Sequence, residues 1–322
     1  MVSGVSRRTV LAAMTIPFVG SLAGCLGRDW DSFPPTTFTV GTGNPGGVFA
    51  RYGEALSEVI GRRLTGITSK TRLTDASVEN LRMVSDGTLD LGFSLGDTAS
   101  DAARGTGSFD QALDVVALAR TYDSFVHLVV RDDSPIRTAA DLRGRRVGVG
   151  AAGSGTRVIA TRILGQSGIA LSDIDVSSVP LEGSSAGILD GSLAAFFFVS
   201  GLPNQTVLSL SRQMGIRLIS LRGVVDSMAR EYGPEYVVGP IPASAYGLPN
   251  AVDTVSVKNY IVAEGKMPSQ LAYAVTRVMF EYQDEIDRLA PGVAQPGIGA
   301  AIFTSPLDLH PGALRYYRER RG

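Results

Sequence analysis

Residues 38–47, FTVGTGNPGG, and residues 146–155, RVGVGAAGSG, follow one plan: an apolar strand, a glycine-rich loop, and then a stretch with helical spacing. A second matched pair lies at a similar distance, with DGTLDL at 86–91 and DGSLAA at 190–195. Two matched pairs at a similar spacing predict two similar α/β lobes. Each glycine loop would place backbone N–H groups at a helix N-terminus, where they face anions. Two such loops facing each other would form a clamp.

The first lobe is predicted to alternate strands and helices, which indicates parallel βαβ units. Apolar residues recur at helical spacing over 48–64 and over 77–87, and a strand follows at 89–93. A further helix is predicted at 97–104. Two separate strands are then predicted on either side of residues 120–124, which we interpret as the first crossing between the lobes.

The second lobe contains a very apolar stretch at 194–199, which is typical of a strand buried on both faces. Residues 216–221 are the last strand predicted for this lobe. The chain then returns to the first lobe, where residues 255–262 alternate like a strand. A long helix is predicted from Pro268, with one apolar stripe that ends at Ile286.

The N-terminal residues are predicted to be an export signal. Arg7 and Arg8 precede an apolar run over 10–23, which is too short for a permanent membrane span. This arrangement is similar to a twin-arginine signal, although the general secretory route stays open. The run ends in LAGC at 22–25, which resembles the bacterial lipobox. Cys25 is the only cysteine of the chain, so it cannot form an internal disulfide and is the candidate lipid anchor.

The predicted organisation has five parts, of which the first two precede the fold. They are an export signal at 1–24, a lipidated tether at 25–36, lobe 1 at 37–123, lobe 2 at 124–222, and a return to lobe 1 with C-terminal helices at 223–322.

Composition excludes several classes of function. The 322 residues include 44% hydrophobic and 19% charged residues, which is typical of an ordered globular protein. The formal net charge of −1 argues against nucleic acid as a partner, because binding a phosphate backbone needs a basic excess. The mature chain is expected to be a monomer anchored outside the cytoplasmic membrane.

One motif formally fits a dinucleotide site. The spacing of Gly148, Gly150 and Gly153 meets the dinucleotide fingerprint, and Asp173 follows where a ribose-binding acid could lie. We do not favour this interpretation, because nicotinamide cofactors are scarce outside the cytoplasm and the loop continues with the hydroxyl-bearing residues Ser154 and Thr156. A small oxyanion suits that loop better.

Residues suited to catalysis are few. His127 lies within an apolar strand and His310 near a turn, so both are interpreted as structural. No nucleophile elbow and no metal-ligand spacing occurs in the sequence. We therefore expect no enzyme activity, no cofactor and no metal.

The chain resembles the TAXI branch of solute receptors for TRAP transporters (tripartite ATP-independent periplasmic transporters). The matching segments occur in family order and cover nearly all of residues 37–320. They are 41–49, 77–81, 153–156, 195–197 with 201–203, 253–260, and 309–317. The resemblance implies a two-lobed periplasmic-binding-protein type II fold, in which each lobe is a mostly parallel sheet flanked by helices and a hinge joins the lobes.

The resemblance also implies a function. A receptor of this family captures a small carboxylate, either an organic acid or an acidic amino acid, by hinge closure. It delivers the solute to the membrane subunits of a sodium-coupled TRAP permease. Two alternatives stay open on the sequence: a lipoprotein that presents its solute to a membrane signalling kinase, and an exported enzyme on the same scaffold.

The ligand contacts that the resemblance implies come from both lobes. They are Gly46, Gly47, Phe49, Ser77, Asn80 and Ser94 from the first lobe, and Ser154, Gly155, Thr156 and Phe197 from the second. Phe49 stands where the family commonly has Tyr, and Leu95 stands in place of a polar residue, which favours a less polar carboxylate. We expect the second loop, with its hydroxyls, to hold the charge of the ligand.

Overall fold

The computed structural model describes Met1 and residues 30–321. The predicted signal peptide and the candidate anchor Cys25 lie outside the described residues. From Asp31 onward the chain forms one compact unit.

The strands of this unit are β1 (Ser32–Gly41), β2 (Thr65–Arg72), β3 (Leu91–Leu95), β4 (Val115–Arg131), β5 (Arg146–Gly148), β6 (Asp175–Ser177), β7 (Ala195–Ser200), β8 (Ile216–Leu218), β9 (Val237–Ile241) and β10 (Val252–Glu264). The helices are α1 (Val48–Arg63), α2 (Ser77–Ser85), α3 (Gly96–Arg104), α4 (Gly155–Gln166), α5 (Leu181–Leu189), α6 (Gln205–Gln213), α7 (Arg222–Tyr232), α8 (Ser269–Glu281), α9 (Gln283–Leu289), α10 (Ile298–Ala301) and α11 (Pro311–Arg321).

The strands form a mixed sheet in the order β2-β1-β3-β10-β4-β7-β5-β6, with β8 paired to β4 and β9 paired to β10. Pairing is parallel at both ends of the sheet, between β1 and its neighbours and between β5 and its neighbours. It is antiparallel in the middle, where β10 and β4 lie. The predicted α/β class is confirmed, and the sheet is mixed rather than mostly parallel.

The crossing between the lobes is one long strand rather than two strands joined by a linker. β4 is 17 residues long and includes the whole segment 120–124. Residues up to Phe125 pair with β10, and residues from Phe125 onward pair with β7 and β8. Strand propensity continues through this segment, so the polar residues that suggested a linker lie within the ladder.

The return crossing lies in β10, which is later than the predicted boundary at residue 223. Helix α7 still packs on the second lobe, since Val225 and Met228 belong to the same buried cluster as Ile159 and Phe197. β9 then pairs with the first residues of β10, whose later residues pair with β3 in the first lobe.

Two element boundaries also differ from the sequence prediction. β1 begins at Ser32, inside the predicted tether, and pairs there with Thr65 of β2. The helix predicted from Pro268 ends at Glu281, and α9 begins after Tyr282, whose backbone φ of −119° and ψ of 29° interrupts the helix. Ile286 is nevertheless buried as predicted.

The cores of both lobes consist of fully buried strand residues covered by helices. Phe38 and Phe93 of the first lobe and Phe196 of the second lobe are completely buried. Burial of each such side chain contributes about 1.5–3 kcal/mol.

His127 of β4 is buried beside the second-lobe core. Its Nδ1 donates to the Phe125 carbonyl oxygen at 2.9 Å, and its Nε2 lies 2.7 Å from the Tyr246 hydroxyl, which donates to it. The same hydroxyl accepts from the Asn204 backbone N–H at 3.0 Å. Burial lowers the pKa of His127 to about 4, because a charged imidazole would lose its hydration.

This lowered pKa predicts a loss of stability in acid. The unfolded chain binds a proton at His127 below pH 6.5, whereas the folded protein binds it only below about 4. The stabilisation is therefore complete above pH 6.5 and decreases by about 3 kcal/mol as the pH falls to 4. Urea unfolding of the wild type and of His127→Phe at stepped pH measures this contribution as the difference between the two curves. Parallel curves would contradict it.

Candidate functional site

A pocket lies between the two lobes, at the N-termini of α1, α2 and α4 and at the carboxyl ends of β3 and β7. Its cavity measures about 30 Å³, which exceeds the roughly 10–15 Å³ that a single water needs. The wall consists of Gly43, Asn44, Gly47, Val48, Phe49, Ala76, Ser77, Leu95, Tyr122, Ser124, Ser154, Gly155, Thr156, Phe198, Val199 and Ser200. In open α/β sheets, ligands bind at this end of the strands.

Six of the ten predicted contact residues line this pocket. They are Gly47, Phe49, Ser77, Ser154, Gly155 and Thr156. The two glycine loops of the sequence repeat therefore do face each other. Contact of these residues with a ligand stays a prediction.

The second loop can turn as it does only because residue 150 is glycine. Gly150 has a φ of +82°, in the left-handed region that favours glycine. A Cβ at this position would lie 2.8 Å from Ser154 Oγ and 2.9 Å from Thr156 Cβ. The turn brings the N-terminus of α4 to the pocket soon after β5 ends.

The Ser154 hydroxyl caps α4 rather than facing a ligand. Its Oγ donates to the Ala151 carbonyl oxygen at 2.7 Å and accepts from the Arg157 backbone N–H at 3.1 Å. The Thr156 hydroxyl accepts from the Val199 backbone N–H at 3.3 Å and keeps its own proton to donate. The expectation that both hydroxyls hold the charge therefore changes for Ser154, because its hydroxyl already has two partners.

Unpaired backbone N–H groups lie at or beside the pocket at the N-termini of α1 and α4, and the Ser77 N–H at the start of α2 is unpaired too. Those of Gly155 and Thr156 in α4, and those of Val48, Phe49 and Ala50 in α1, make no hydrogen bond within the described part of the chain. The N-terminal N–H groups of a helix have no partner inside the helix. Neither α1 nor α4 has an acidic residue in its first turn. The nearest carboxylates lie outside these turns: Asp75 Oδ2 accepts from the Gly153 N–H, and Glu182 lies beside Gly46.

The N-terminus of α2, by contrast, is occupied by the second lobe. The backbone N–H groups of Val78 and Glu79 donate to the Gly153 carbonyl oxygen at 3.1 and 3.2 Å. The Gly153 N–H donates to Asp75 Oδ2 at 3.1 Å. We call these three hydrogen bonds the Gly153 contact; they join the lobes directly beside the pocket.

A buried polar network, which we call the Arg162 network, also joins the lobes. Arg162 of α4 donates to Asp101 Oδ2 at 2.6 Å and to the Tyr236 hydroxyl at 2.7 Å, and that hydroxyl donates to Asp97 Oδ2 at 2.6 Å. The Arg162 guanidinium also lies 4.6 Å from the centre of the Tyr232 ring. Burial raises the pKa of Asp97, and the charge of Arg162 opposes that shift. Losing one partner of such a buried pair costs about 3–5 kcal/mol.

Asn80 lies behind the pocket wall, which does not fit its predicted role as a ligand contact. Its Nδ2 donates to the carbonyl oxygens of Thr42 and Phe93, both at 2.9 Å, and its Oδ1 accepts from Thr74 Oγ1 at 2.8 Å. The side chain is completely buried and has no free donor or acceptor directed at the cavity. Its amide instead ties the first glycine loop to β3.

Three further predicted residues also lie outside the wall. The carbonyl oxygen of Gly46 accepts from Asn204 Nδ2 at 3.1 Å, which is another bond between the lobes. The Ser94 hydroxyl donates to the Leu95 carbonyl oxygen at 2.9 Å. Phe197 belongs to the buried core of the second lobe. Because side chains alternate along β7, it is the neighbouring Phe198 that reaches the pocket.

Four wall residues with polar side chains were not predicted as ligand contacts. They are Asn44, Tyr122, Ser124 and Ser200. The sequence contained an indication for Tyr122 and Ser124. Residues 120–124 were predicted to cross between the lobes, and a crossing segment must border the cleft.

The residues considered for catalysis or for a dinucleotide are engaged elsewhere. Asp173 pairs with Arg143 at 2.7 Å. His310 Nε2 lies 2.9 Å from the Met267 carbonyl oxygen, and its Nδ1 accepts from the Gly312 N–H at 3.0 Å. None of these residues lines the pocket, and neither does His127.

The described residues contain neither a candidate metal site nor a candidate membrane span. No group of three or more His, Cys, Asp or Glu side chains is placed there to hold a metal ion. No helix in the same part of the chain combines the length and the apolar character that a membrane span requires.

A family model described as the NMT1-like family matches residues 40–320, which is most of the chain and includes every wall residue. The chain belongs to the NMT1-like family. The match covers both lobes and both crossings, so the pocket of this NMT1-like chain lies wholly within the matched region.

Solved structures of similar fold have low sequence identity to this NMT1-like chain. The alkanesulfonate-binding protein SsuA from Xanthomonas axonopodis pv. citri, bound to MOPS, is 16% identical, with a TM-score of 0.51 and coverage of 89% of this chain and 84% of that one. PhnD1 from Prochlorococcus marinus, in complex with methylphosphonate, is 14% identical, with a TM-score of 0.51 and coverage of 79% and 89%. These similarities establish the periplasmic-binding-protein type II fold.

The position of Asn80 predicts a stability defect rather than a simple binding defect. In Asn80→Ala, two backbone carbonyls and the Thr74 hydroxyl lose their partner in a buried site, at a cost of about 1–3 kcal/mol for each unsatisfied group. We expect a free energy of unfolding lower by several kcal/mol in urea titration. Thr161→Ala on the exposed face of α4 is the control. A change below 1 kcal/mol for Asn80→Ala would contradict this role.

Because Gly153 joins the lobes, we expect that adding a single methyl group at this position weakens the contact between them. In Gly153→Ala, the new Cβ would lie 3.0 Å from Asp75 Cβ and 3.4 Å from Glu79 Cβ across the lobe boundary. We expect a larger radius of gyration in small-angle scattering. The control is Gly223→Ala on α7, where an added Cβ meets no atom within 4 Å. Equal radii of gyration for the two variants would show that the contact does not hold the lobes together.

Proposed function

We propose that this protein is an extracytoplasmic solute receptor that captures a small carboxylate between its lobes. The observation that carries the proposal is the pocket itself, in which the N-termini of α1 and α4 present unpaired N–H groups from opposite lobes. Each hydrogen bond from such a donor to a charged oxygen contributes about 1.5–3 kcal/mol. The wall includes no acid–base pair, and we propose no catalytic activity.

Capture proceeds by hinge closure. A solute that reaches one lobe gains the donors of the second only when the lobes approach, so binding favours the closed arrangement. β4 and β10 are the connections that absorb the rotation, because both continue from one half of the sheet into the other. The Gly153 contact and the Arg162 network also stabilise the closed arrangement.

We assign the receptor to the TAXI branch and its partner to the membrane subunits of a sodium-coupled TRAP permease. The sequence motifs that resemble this branch lie within the region matched by the family model, which supports the assignment. The proposal includes export and anchoring through lipidated Cys25, for which the support is the LAGC sequence that follows the twin arginines.

The similar solved structures include an alkanesulfonate-binding protein and a protein in complex with methylphosphonate, so sulfonates and phosphonates are tested beside carboxylates. They share with carboxylates the terminal oxygens that backbone N–H groups bind. Leu95 and Phe49 in the wall favour a ligand with an apolar part.

A ligand screen tests the proposal. We expect a short-chain carboxylate to raise the melting temperature of the purified protein and to reduce its radius of gyration in scattering. Sulfonates and phosphonates of the same size are screened in parallel as the alternative ligand classes. In Gly155→Ala, the added Cβ would lie 2.7 Å from Ser77 Oγ, and we expect at least tenfold weaker binding.

Gly165→Ala is the matched control for this screen, because Gly165 lies in the same helix and an added Cβ meets no atom there. A wild type that no small anion stabilises, or a ligand that stabilises without compaction, would refute the proposal.

A further inference from the structure

A second cavity adjoins the pocket at the boundary between the lobes. It measures about 280 Å³, whereas the pocket measures about 30 Å³. Ligand sites commonly measure about 300–1,000 Å³, so the second cavity by itself approaches that size and the pocket does not. Its wall consists of Val48, residues 122, 123 and 125 of β4, residues 201–203 after β7, and residues 292–294 after α9.

A single layer of side chains separates the second cavity from the pocket, because Val48 and Tyr122 line both. Gly201 packs against this layer, since a Cβ added there would lie 2.9 Å from Tyr122 Cε2 and 3.6 Å from Val48 Cγ2. Only glycine at this position allows so close an approach to the Tyr122 ring. Val48 lies in the first lobe and Gly201 in the second, so opening of the lobes would join the two cavities.

The wall of the second cavity is mainly apolar. Phe125 and Leu202 pack against the second-lobe core, and Val293 is buried. Among the described residues of this wall, Asp123 is the only one with a charged side chain, and it pairs with Arg120 at 2.8 Å. The charge of Asp123 is therefore balanced within the protein, and the remaining surface favours hydrocarbon groups.

The outer wall of the second cavity is fixed to the helix that begins at the pocket. Arg51 of α1 donates to the Pro291 carbonyl oxygen at 2.7 Å, directly before residues 292–294. Arg63, at the other end of α1, forms an ion pair with Glu285 of α9. The segment that follows α9 is thus held against the first lobe, and the cavity is formed before a ligand arrives.

We propose that the second cavity binds the hydrocarbon chain of the solute whose acid group lies in the pocket, so that the ligand is a linear aliphatic carboxylate. This inference rests on the proposed receptor function and names its ligand class. The chain would lie across the layer formed by Val48 and Tyr122 while the lobes are open, and closure would enclose it. A second acid group at the far end would lie in an apolar cavity beside the Asp123 carboxylate, which is costly.

A series of carboxylates tests this ligand class by calorimetric titration of the wild type. Butanoate and hexanoate differ only in chain length, and adipate has the carbon number of hexanoate with a second acid group. We expect binding to tighten roughly fourfold for each CH₂ group that enters the cavity, which is the value of hydrophobic transfer. Hexanoate should therefore bind at least tenfold more tightly than butanoate and at least tenfold more tightly than adipate.

Two variants that fill the second cavity test the location of the chain. Ala294→Leu enlarges an exposed wall residue, and Val293→Phe enlarges a buried one whose side chain cannot turn to solvent. In both variants the affinities for hexanoate and butanoate should become nearly equal. Ala300→Leu is the matched control, because Ala300 is an exposed alanine in the neighbouring helix α10 and does not line the cavity.

The results separate this inference from the receptor function on which it rests. Equal affinities for butanoate and hexanoate, adipate binding as tightly as hexanoate, or a wild-type preference for hexanoate in both filling variants would overturn the inference and leave the receptor function intact. Failure of every carboxylate, sulfonate and phosphonate to bind the wild type would overturn both.

Discussion

Antiparallel pairing between β4 and β10 is the interaction on which the rest of the molecule depends. These strands pair with each other over the first-lobe half of β4. β4 then runs into the second lobe, where β10 begins, and there the two strands have different neighbours. The two lobes therefore share one hydrogen-bonded ladder, and the pocket lies beside the point where that ladder changes partners. Tyr122 and Ser124 line the pocket because they occupy this point of β4. A continuous ladder also limits the relative movement of the lobes to twisting and bending of two strands.

The hydrogen-bond donors of the pocket are mainly backbone N–H groups at helix N-termini. α1 and α4 start directly after the two glycine loops, whose glycines let the helix ends approach the cavity. The Ser154 hydroxyl satisfies the third N–H group of α4 and leaves the first two free. A third helix end, that of α2, binds the carbonyl oxygen of Gly153 instead. Comparable helix ends thus serve two purposes: two face the cavity, and one holds the lobes together.

The repeat in the sequence was sufficient to predict the two lobes, the glycine loops and the residues at the start of α1 and α4, because each depends on local backbone requirements. The role of Asn80 could not be predicted, since it depends on which carbonyl groups lie around it after folding. Phe197 and Phe198 were indistinguishable in an apolar run, where only strand register determines which side chain reaches the pocket. Tyr122 was missed because polar residues in β4 suggested a linker, whereas pairing with β10 keeps them in a strand.

The direct bonds between the lobes have a kinetic consequence. In the proposed receptor, part of the free energy of closure would come from the protein itself, through Gly153 and Arg162, and the solute would supply the remainder. On that proposal, a solute would enter and leave only when these bonds open, so their strength would set its residence time as much as its own contacts do. A membrane partner that pulls on the Arg162 side of the cleft would speed release without touching the pocket. Affinity and delivery rate can then vary independently.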